Sequence, residues 1–395
     1  MDYEHVTTDR ALAKLCADLA GAESIAFDTE FVSEHSYRPE LCLIQVAAGD
    51  RLAVIDPQTL KSIEPFWELL ATPGHQTIVH AGREELLFCL AAAGRPPHEL
   101  FDVQICAGLV GYEYPAGYGS LLAKLVGKRL EKGETRTDWR RRPLTAGQID
   151  YALDDVRYLD EMAFKLRRRL AEMGRTGWME AEMASWMSDV RATRSGERWW
   201  KVSGTSNLSR RSLAVVREIW RWREAEAERR DCPTRRVLRD DLIVELAKRR
   251  SSDPAQIRAL RGMERGDLRR CLGELAAAVG RAMALPDEEC PDTPPRDTQP
   301  QSSVLGQFLT SALGSICRSA EVAPSMVGTA SDVRELVAYR LALADGNVVP
   351  EPPLLDRGWR AEVVGRVIDD LLDGKLAVRI QDPRSDDPLS FDPVR

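Results

Sequence analysis

The stretch SIAFDTEF at residues 24–31 begins with apolar residues and carries two acids, Asp28 and Glu30, near its end. Two more apolar runs follow it closely. These are LCLIQVA at residues 41–47 and LAVI at residues 52–55. Short, mostly apolar runs of this length are typical of buried strands. The few residues between them favour an antiparallel meander.

The sequence that follows alternates between strand and helix patterns, which predicts an α/β domain. A charged loop at residues 128–143 then leads into a long helix, for which Thr145 is the expected N-cap. The predicted helices lie at residues 59–70, 83–93 and 121–126, and the predicted strands at residues 76–80 and 100–103.

Asp28 and Glu30 lie two residues apart near the end of the first predicted strand. Alternate side chains of a strand face the same side, so these carboxylates point together while Thr29 faces away. Two acids on one face repel each other unless a cation binds between them. A solvated strand end explains the same spacing, so this pair alone leaves both interpretations open.

Tyr151 and Asp155 lie four residues apart and therefore share one face of the predicted helix, whereas Asp154 is rotated by roughly 100°. Taken alone, the pair also suits an ordinary amphipathic helix with a surface Asp. Phosphodiester hydrolysis by two Mg²⁺ ions, held about 4 Å apart, requires several converging carboxylates because Mg²⁺ takes oxygen ligands. The two pairs together are candidates for such a site.

The net charge of −7 is unevenly distributed along the chain. Residues 205–285 hold 19 Lys and Arg against 12 Asp and Glu, a net charge of +7, while the segments before and after it are acidic. A local basic segment suits contact with phosphates better than the total charge indicates. Arginine-rich helices that are merely solvated would show the same composition.

Strand patterns disappear after residue 208, and apolar residues at helical spacing predict a compact helical bundle up to residue 285. Residues 286–303 form a Pro-rich polar linker, and a second small bundle is expected beyond it. The eight cysteines include no C-x-x-C pair, which favours reduced packing residues over a zinc site. The mixed, charged first residues lack a signal peptide's apolar core, so we expect a cytoplasmic protein.

Three motifs, FDTEF at residues 27–31, HAGREEL at residues 80–86 and YALDDVRYL at residues 151–159, resemble those of the DEDD exonuclease superfamily. A Tyr four residues before the last Asp is typical of its DEDDy branch. The flanking sequences resemble ribonuclease D, which implies an RNase H-like fold. They are YRPELCLIQVA at residues 37–47, FDVQ at residues 101–104 and RTDWRRRPL at residues 136–144.

The resemblance implies a role for each matching residue. Asp28 would bridge two divalent metal ions, Mg²⁺ or Mn²⁺, while Glu30 and Asp155 would hold the ion that activates water. Tyr151 would position that water. Glu85 stands where the family usually has Asp, and its extra methylene would let it hold the second ion directly or through water.

Four further residues are candidates for contact with nucleic acid. Arg136 and Arg140 suit phosphates, and Trp139 between them would either stack on a base or pack in the core. His80 ends an apolar strand, and two-metal hydrolysis needs no histidine base, so His80 is either structural or near the substrate.

Residues 205–285 resemble an HRDC domain, and the last segment is placed like the second HRDC-like domain of ribonuclease D. The expected organisation is an α/β, RNase H-like exonuclease domain followed by two small all-α HRDC-like helical bundles. The units are an exonuclease domain with a helical extension at residues 1–204, the HRDC domain at 205–285, the linker at 286–303 and the C-terminal domain at 304–395.

The expected function is removal of mononucleotides from RNA 3′ ends, with tRNA precursors and other structured RNA as substrates. Neither a membrane nor a protein partner is implied. Two alternatives stay open. The motifs bind phosphate and metal without reading the 2′-hydroxyl, so a DNA 3′→5′ exonuclease fits them as well. Glu85 leaves room for a catalytically weak RNA-binding protein.

Overall fold

The structure is a computed structural model that describes residues 2–130, 137–292, 300–346, 351–385 and 387–394. Over these ranges, none of the helices is long and apolar enough to cross a membrane.

A six-stranded mixed sheet forms the centre of the first domain, with the strand order β1-β4-β3-β2-β5-β6. The middle strands β2, β3 and β4 pair antiparallel, which confirms the predicted meander, while β1, β5 and β6 join it in parallel. The strands are β1 (Glu4–Val6), β2 (Ser24–Val32), β3 (Glu40–Ala48), β4 (Arg51–Ile55), β5 (Gln76–Val79) and β6 (Phe101–Asp102).

In the described part of this domain, eight helices surround the sheet, and α6 and α7 determine where the site lies. Thr145 caps α6 in a capping box with Gln148, as the sequence predicts. Helix α6 buries Ile149 and Leu153 against β3 and β4. The helices are α1 (Asp9–Leu19), α2 (Glu64–Ala71), α3 (Arg83–Ala92), α4 (Val103–Gly108), α5 (Tyr118–Leu125), α6 (Ala146–Arg157), α7 (Leu159–Glu172) and α8 (Thr176–Ser195).

A helical module with its own apolar core follows at residues 210–292. Its long first helix, α9, packs against α11 and α14. Cys290 is buried in the same core, so the first residues of the predicted linker 286–303 belong to this module. The helices are α9 (Arg210–Arg229), α10 (Thr234–Val237), α11 (Asp240–Arg249), α12 (Pro254–Arg258), α13 (Gly266–Arg270) and α14 (Leu272–Ala284).

The C-terminal segment is mainly helical, and its first helix begins inside the predicted linker. It also ends in an antiparallel hairpin, which the prediction of an all-α bundle did not include. The hairpin strands have five residues each and none of their side chains is buried, so they do not resemble the buried strands of the first domain. The elements are α15 (Pro300–Ser319), α16 (Pro324–Val327), α17 (Ala330–Ala344), α18 (Gly358–Arg360), a π-helical turn (Ala361–Gly365), α19 (Arg366–Leu372), β7 (Leu376–Ile380) and β8 (Leu389–Pro393).

The C-terminal segment shares one apolar core with the exonuclease domain. At Gly108 the two approach so closely that an added Cβ would lie 2.1 Å from the Met326 sulfur, so a larger residue there would displace the Met326 side chain. Arg360 forms a two-pronged ion pair with Glu182, at 2.8 and 3.0 Å. The rings of Trp178 and Trp359 stack with centroids 5.3 Å apart.

Candidate active site

Strand β2 carries the first two acids. Asp28 and Glu30 are both half-buried and lie opposite Gln45 and Leu43 of β3. The register shifts between Glu30 and Phe31, so regular pairing breaks directly after the second acid. Such an irregularity bends a strand and re-aims its side chains, and it is common next to active sites.

The acids from β2 meet others from α3 and α6. Burial raises the pKa of Asp28 well above its ordinary value, and three neighbouring carboxylates raise it further. These are Glu85, Asp155 and Glu30, in decreasing order of effect. Burial and the charges of Asp155 and Glu85 raise the pKa of Glu30 to about 8. Burial and the charge of Asp154 raise the pKa of Asp155 to about 7.

Tyr151 lies one helical turn before Asp155 and donates a hydrogen bond to the Asp155 carboxylate. Its ring lies 6.3 Å from that of Trp139, inclined by 30°. Burial, and then the nearby carboxylates, raise the pKa of the phenol, which keeps it a proton donor. Asp154 instead pairs with Arg157 at 3.2 Å and so turns away, as the helical spacing predicts.

Glu85 is buried near the start of α3. Its carboxylate accepts a hydrogen bond of 2.5 Å from the Thr29 hydroxyl, and burial raises its pKa to about 7. Thr29, which strand alternation places on the other face from Asp28 and Glu30, thus contacts the fourth acid directly. Glu84 points elsewhere, to Arg83 at 2.8 Å.

The chain is similar to known proteins over most of its length. Family models match residues 3–171, as a 3′-5′ exonuclease, and residues 212–279, as an HRDC domain. Ribonuclease D of Granulibacter bethesdensis is 32% identical over 381 residues, which are 95% of this chain and 94% of the relative. Ribonuclease D of Gluconacetobacter diazotrophicus is 34% identical over 385 residues, which are 96% and 95% of the two chains.

This chain belongs to the ribonuclease D family. Among solved structures it is similar to RNase D of Escherichia coli, an exoribonuclease involved in structured RNA processing, with a TM-score of 0.79 and 28% identity. That likeness covers 95% of this chain and 99% of the other. The chain is accordingly a 3′→5′ exoribonuclease of the ribonuclease D type, and it depends on a divalent metal ion. The DNA-specific and catalytically weak alternatives are not favoured.

In this ribonuclease D family member, Asp102 organises the turn that delivers Glu85. The carboxylate of Asp102 is buried and accepts hydrogen bonds from the backbone amides of Ala81 (3.1 Å) and Gly82 (2.9 Å). It also caps α4 through the amide of Gln104 at 2.8 Å. The sequence marked this Asp only as part of FDVQ, and its role as a backbone clamp was missed.

A second supporting contact reaches α6 from α5. The Tyr118 hydroxyl donates to the Asp154 carbonyl at 2.6 Å, and the His80 ring packs edge-on against Tyr118, with centroids 5.7 Å apart. Nε2 of His80 lies 2.9 Å from the Ala116 carbonyl. Because His80 is enclosed in this way, its position favours the structural alternative over contact with nucleic acid.

The loop before α6 is fixed by Arg142. Its guanidinium forms a two-pronged pair with buried Asp56, at 2.5 and 2.8 Å, and donates to the carbonyls of Trp139 and Cys42. Trp139 is only 6% exposed. Of the two alternatives for Trp139, the structure favours packing over base stacking, since its ring is covered in the core against which Tyr151 packs.

Of the two predicted phosphate-binding arginines, one can be located. Arg140 is partly exposed at the surface and pairs with Asp138 at 2.9 Å. Arg136 lies outside the described residues. Arg140 therefore stays a prediction, with a competing carboxylate already beside it.

The acids fit a divalent cation by their chemistry, because hard cations prefer carboxylate oxygens. Among the residues that the structure describes, no three His, Cys, Asp or Glu side chains are drawn together closely enough to hold a metal ion as they stand. The carboxylates are nevertheless near enough to raise one another's pKa. A bound divalent cation would offset this mutual repulsion.

Proposed function

We propose that this enzyme removes mononucleotides from the 3′ ends of structured RNA, tRNA precursors among them, by two-metal-ion hydrolysis. Asp28, Glu30, Glu85 and Asp155 are the proposed ligands of two Mg²⁺ or Mn²⁺ ions. The observation that carries this proposal is the meeting of four mutually repelling carboxylates from β2, α3 and α6 beside a phenol.

Each of these side chains has a distinct task in the proposal. When bound, the divalent ions supply a water of lowered pKa and neutralise charge on the phosphate. Tyr151 holds its hydroxyl at the Asp155 carboxylate, where it can align the attacking water with the scissile bond. Alignment is worth much, because misplacement by about 1 Å can cost roughly 100-fold in rate.

The basic HRDC segment, residues 205–285, is the proposed grip on the body of the RNA. Several of its arginines are exposed on α11 to α13 and the loops between them, where phosphates can reach them. They are Arg249, Arg250, Arg258, Arg261, Arg269 and Arg270. All eight cysteines are free thiols, which suits a reducing compartment, and we propose the cytoplasm.

The acid cluster is tested by paired substitutions on one helix. Asp155→Asn should reduce cleavage of RNA with Mg²⁺ by at least about 1000-fold, because a ligand of the ions is lost. Asp154→Asn, one residue away but turned to Arg157, should leave the rate within about threefold. Single-turnover rates are measured on 3′-labelled RNA and on a matched DNA strand, and they test whether Asp155 holds the ions. Equal rates for the two variants would refute the assignment.

A substitution at Tyr151 distinguishes a role in orienting the attacking water from a role in packing. Tyr151→Phe keeps the ring against Trp139 but removes the hydroxyl on Asp155, so the rate should fall by about 10- to 1000-fold while RNA affinity stays unchanged. A Phe variant that cleaves at the original rate would leave Tyr151 with a packing role only.

Glu85 is tested by side-chain length. If it serves the second ion, Glu85→Ala should cut the rate severely, whereas Glu85→Asp should keep much of it. Thr29→Val controls for the hydrogen bond that fixes Glu85, and its effect should be the smaller one. Full activity in Glu85→Ala would exclude Glu85 from the site.

A further inference from the structure

A short turn between the exonuclease domain and the HRDC module presents an exposed tryptophan. Trp199–Lys201 forms a single 3₁₀ turn, and Trp200 is 56% exposed. Large aromatic side chains are usually covered, because exposing them to water is unfavourable. Trp200 therefore offers an uncovered aromatic face on a defined turn.

The turn is held firmly on both sides of Trp200. Trp199 packs against the HRDC core, and Val202 is buried in it. The backbone closes the turn through the Val202 amide, which donates to the Trp199 carbonyl at 3.1 Å. The ring of Trp199 also supports that of Trp200 edge-on, with centroids 5.9 Å apart. The exposed ring is thus carried on a turn whose neighbouring residues are packed.

The chain before and after the turn contacts elements that carry the acids. Before it, the Thr193 hydroxyl accepts a hydrogen bond of 3.0 Å from Arg83, which lies on the same helix as Glu85. After it, Glu224 of α9 accepts a hydrogen bond of 3.2 Å from Tyr37, which follows Glu30 by seven residues.

The residue before the turn, Arg198, and Tyr37 of the loop that leaves β2 both interact with Glu224 of α9. Tyr37 packs against the HRDC core alongside Trp199. The charge of Arg198 also acts on Glu224, whose pKa is raised by burial and lowered by Arg223 and Arg198. The turn therefore lies along the chain between a contact to the helix of Glu85 and a contact to the loop that follows Glu30.

We infer that Trp200 is a stacking platform for an unpaired base of the RNA strand that leads to the acid cluster, with Lys201 beside it to contact a phosphate. This rests on the proposed function, since it supposes RNA as the ligand. Any base offers a face to an aromatic ring, and a cation next to the ring suits the sugar-phosphate backbone. The cationic neighbours Arg198 and Lys201 favour a polyanion over an apolar protein surface.

The experiment compares two exposed aromatics in the full-length Asp28→Asn protein, which binds without cleaving. Trp200→Ala should weaken binding of a fluorescein-labelled 12-nucleotide single-stranded RNA by about 10-fold, measured by anisotropy. Trp200→Phe should recover most of that loss, because a smaller ring still stacks. Phe164→Ala is the matched control. Phe164 is 60% exposed on α7, well before Trp200 in the chain, and its removal should leave the RNA affinity unchanged.

RNA length distinguishes stacking from general damage. Binding of a trinucleotide, which occupies only the acid cluster, should be unaffected by Trp200→Ala. Unchanged 12-nucleotide affinity in Trp200→Ala, an equal loss with the trinucleotide, or a change of oligomeric state by light scattering would each overturn the inference. Failure of the parent enzyme to shorten the same 12-nucleotide RNA from its 3′ end would instead overturn the proposed function.

Discussion

The exonuclease domain holds its two neighbours in different ways. The C-terminal segment joins it through a common apolar core, with an ion pair between Arg360 and Glu182 whose side chains are only 14% and 15% exposed. The HRDC module has a separate core and meets the exonuclease domain through the loop at residues 33–39, where Tyr37 packs against that core and several hydrogen bonds and ion pairs cross the boundary. One of these, Arg38 with Glu228, is 71% and 56% exposed.

The shared core contributes to the stability of the exonuclease domain, whereas the HRDC contacts mainly determine where the HRDC module lies. Removing apolar area that two segments share destabilises both of them. Exposed ion pairs contribute little to stability and are screened by salt. The C-terminal segment is therefore part of the catalytic body, although the sequence places it after the HRDC module. The HRDC module is the part whose position can respond to RNA and to ionic strength.

The largest expected effect comes from removing residues 293–395. The truncated chain should lose cooperative unfolding of the exonuclease domain and cleave even short RNA poorly, because the shared core is opened. Calorimetry and cleavage of a trinucleotide measure this. A truncated protein with the original unfolding temperature would show that the two segments merely touch.

The next largest effect is expected from Glu182→Ala, which leaves the largely buried Arg360 guanidinium without its carboxylate partner. Breaking a pair this buried should lower the free energy of unfolding by about 3 kcal/mol. Glu172→Ala removes an exposed partner of Arg168 and serves as the control, with little expected effect. Urea unfolding compares them, and equal midpoints would contradict the buried character of the attachment.

A smaller effect is expected on the HRDC side from Arg269→Ala with Arg270→Ala. Unfolding should not change, but affinity for structured RNA should fall several-fold and its salt dependence should weaken by about 1–2 in log–log slope. Titrations at four salt concentrations measure the slope. An unaltered slope would mean that these arginines contact no phosphate.

The smallest effect should come from Tyr37→Phe, which removes one hydrogen bond to Glu224 across the polar interface. Docking of the HRDC module should weaken by about 1 kcal/mol, whereas each core keeps its stability. Hydrogen exchange of the loop at residues 33–39 should rise, and trinucleotide cleavage should stay constant. Altered global unfolding would show that the interface is more than a docking contact.

The sequence predicted what local periodicity controls. Strand alternation placed Asp28 with Glu30, and helical rotation separated Asp155 from Asp154, as the pairing of Asp154 with Arg157 bears out. The motifs also indicated the family and the RNase H-like fold. The roles of the site residues remain predictions, supported by the way that β2, α3 and α6 converge.

Long-range contacts were beyond the sequence. Nothing local shows that Thr29 meets Glu85 or that Asp102 clamps the turn before α3, because each contact joins residues brought together only by the sheet. Trp139 left stacking and packing open for the same reason. The apolar faces of the last helices predicted a bundle but could not say that the exonuclease domain would cover them.

The common core of the first and last segments also sets an order of events during synthesis. The ribosome delivers the exonuclease motifs first, yet the apolar residues that complete their core, such as Val333 and Ile368, emerge only near the end of the chain. At about 5–20 residues per second, roughly 10–40 s pass between the emergence of α8 and that of α19. A nascent RNA-degrading domain thus stays incomplete beside the translation machinery until the segment after the HRDC module has also been made.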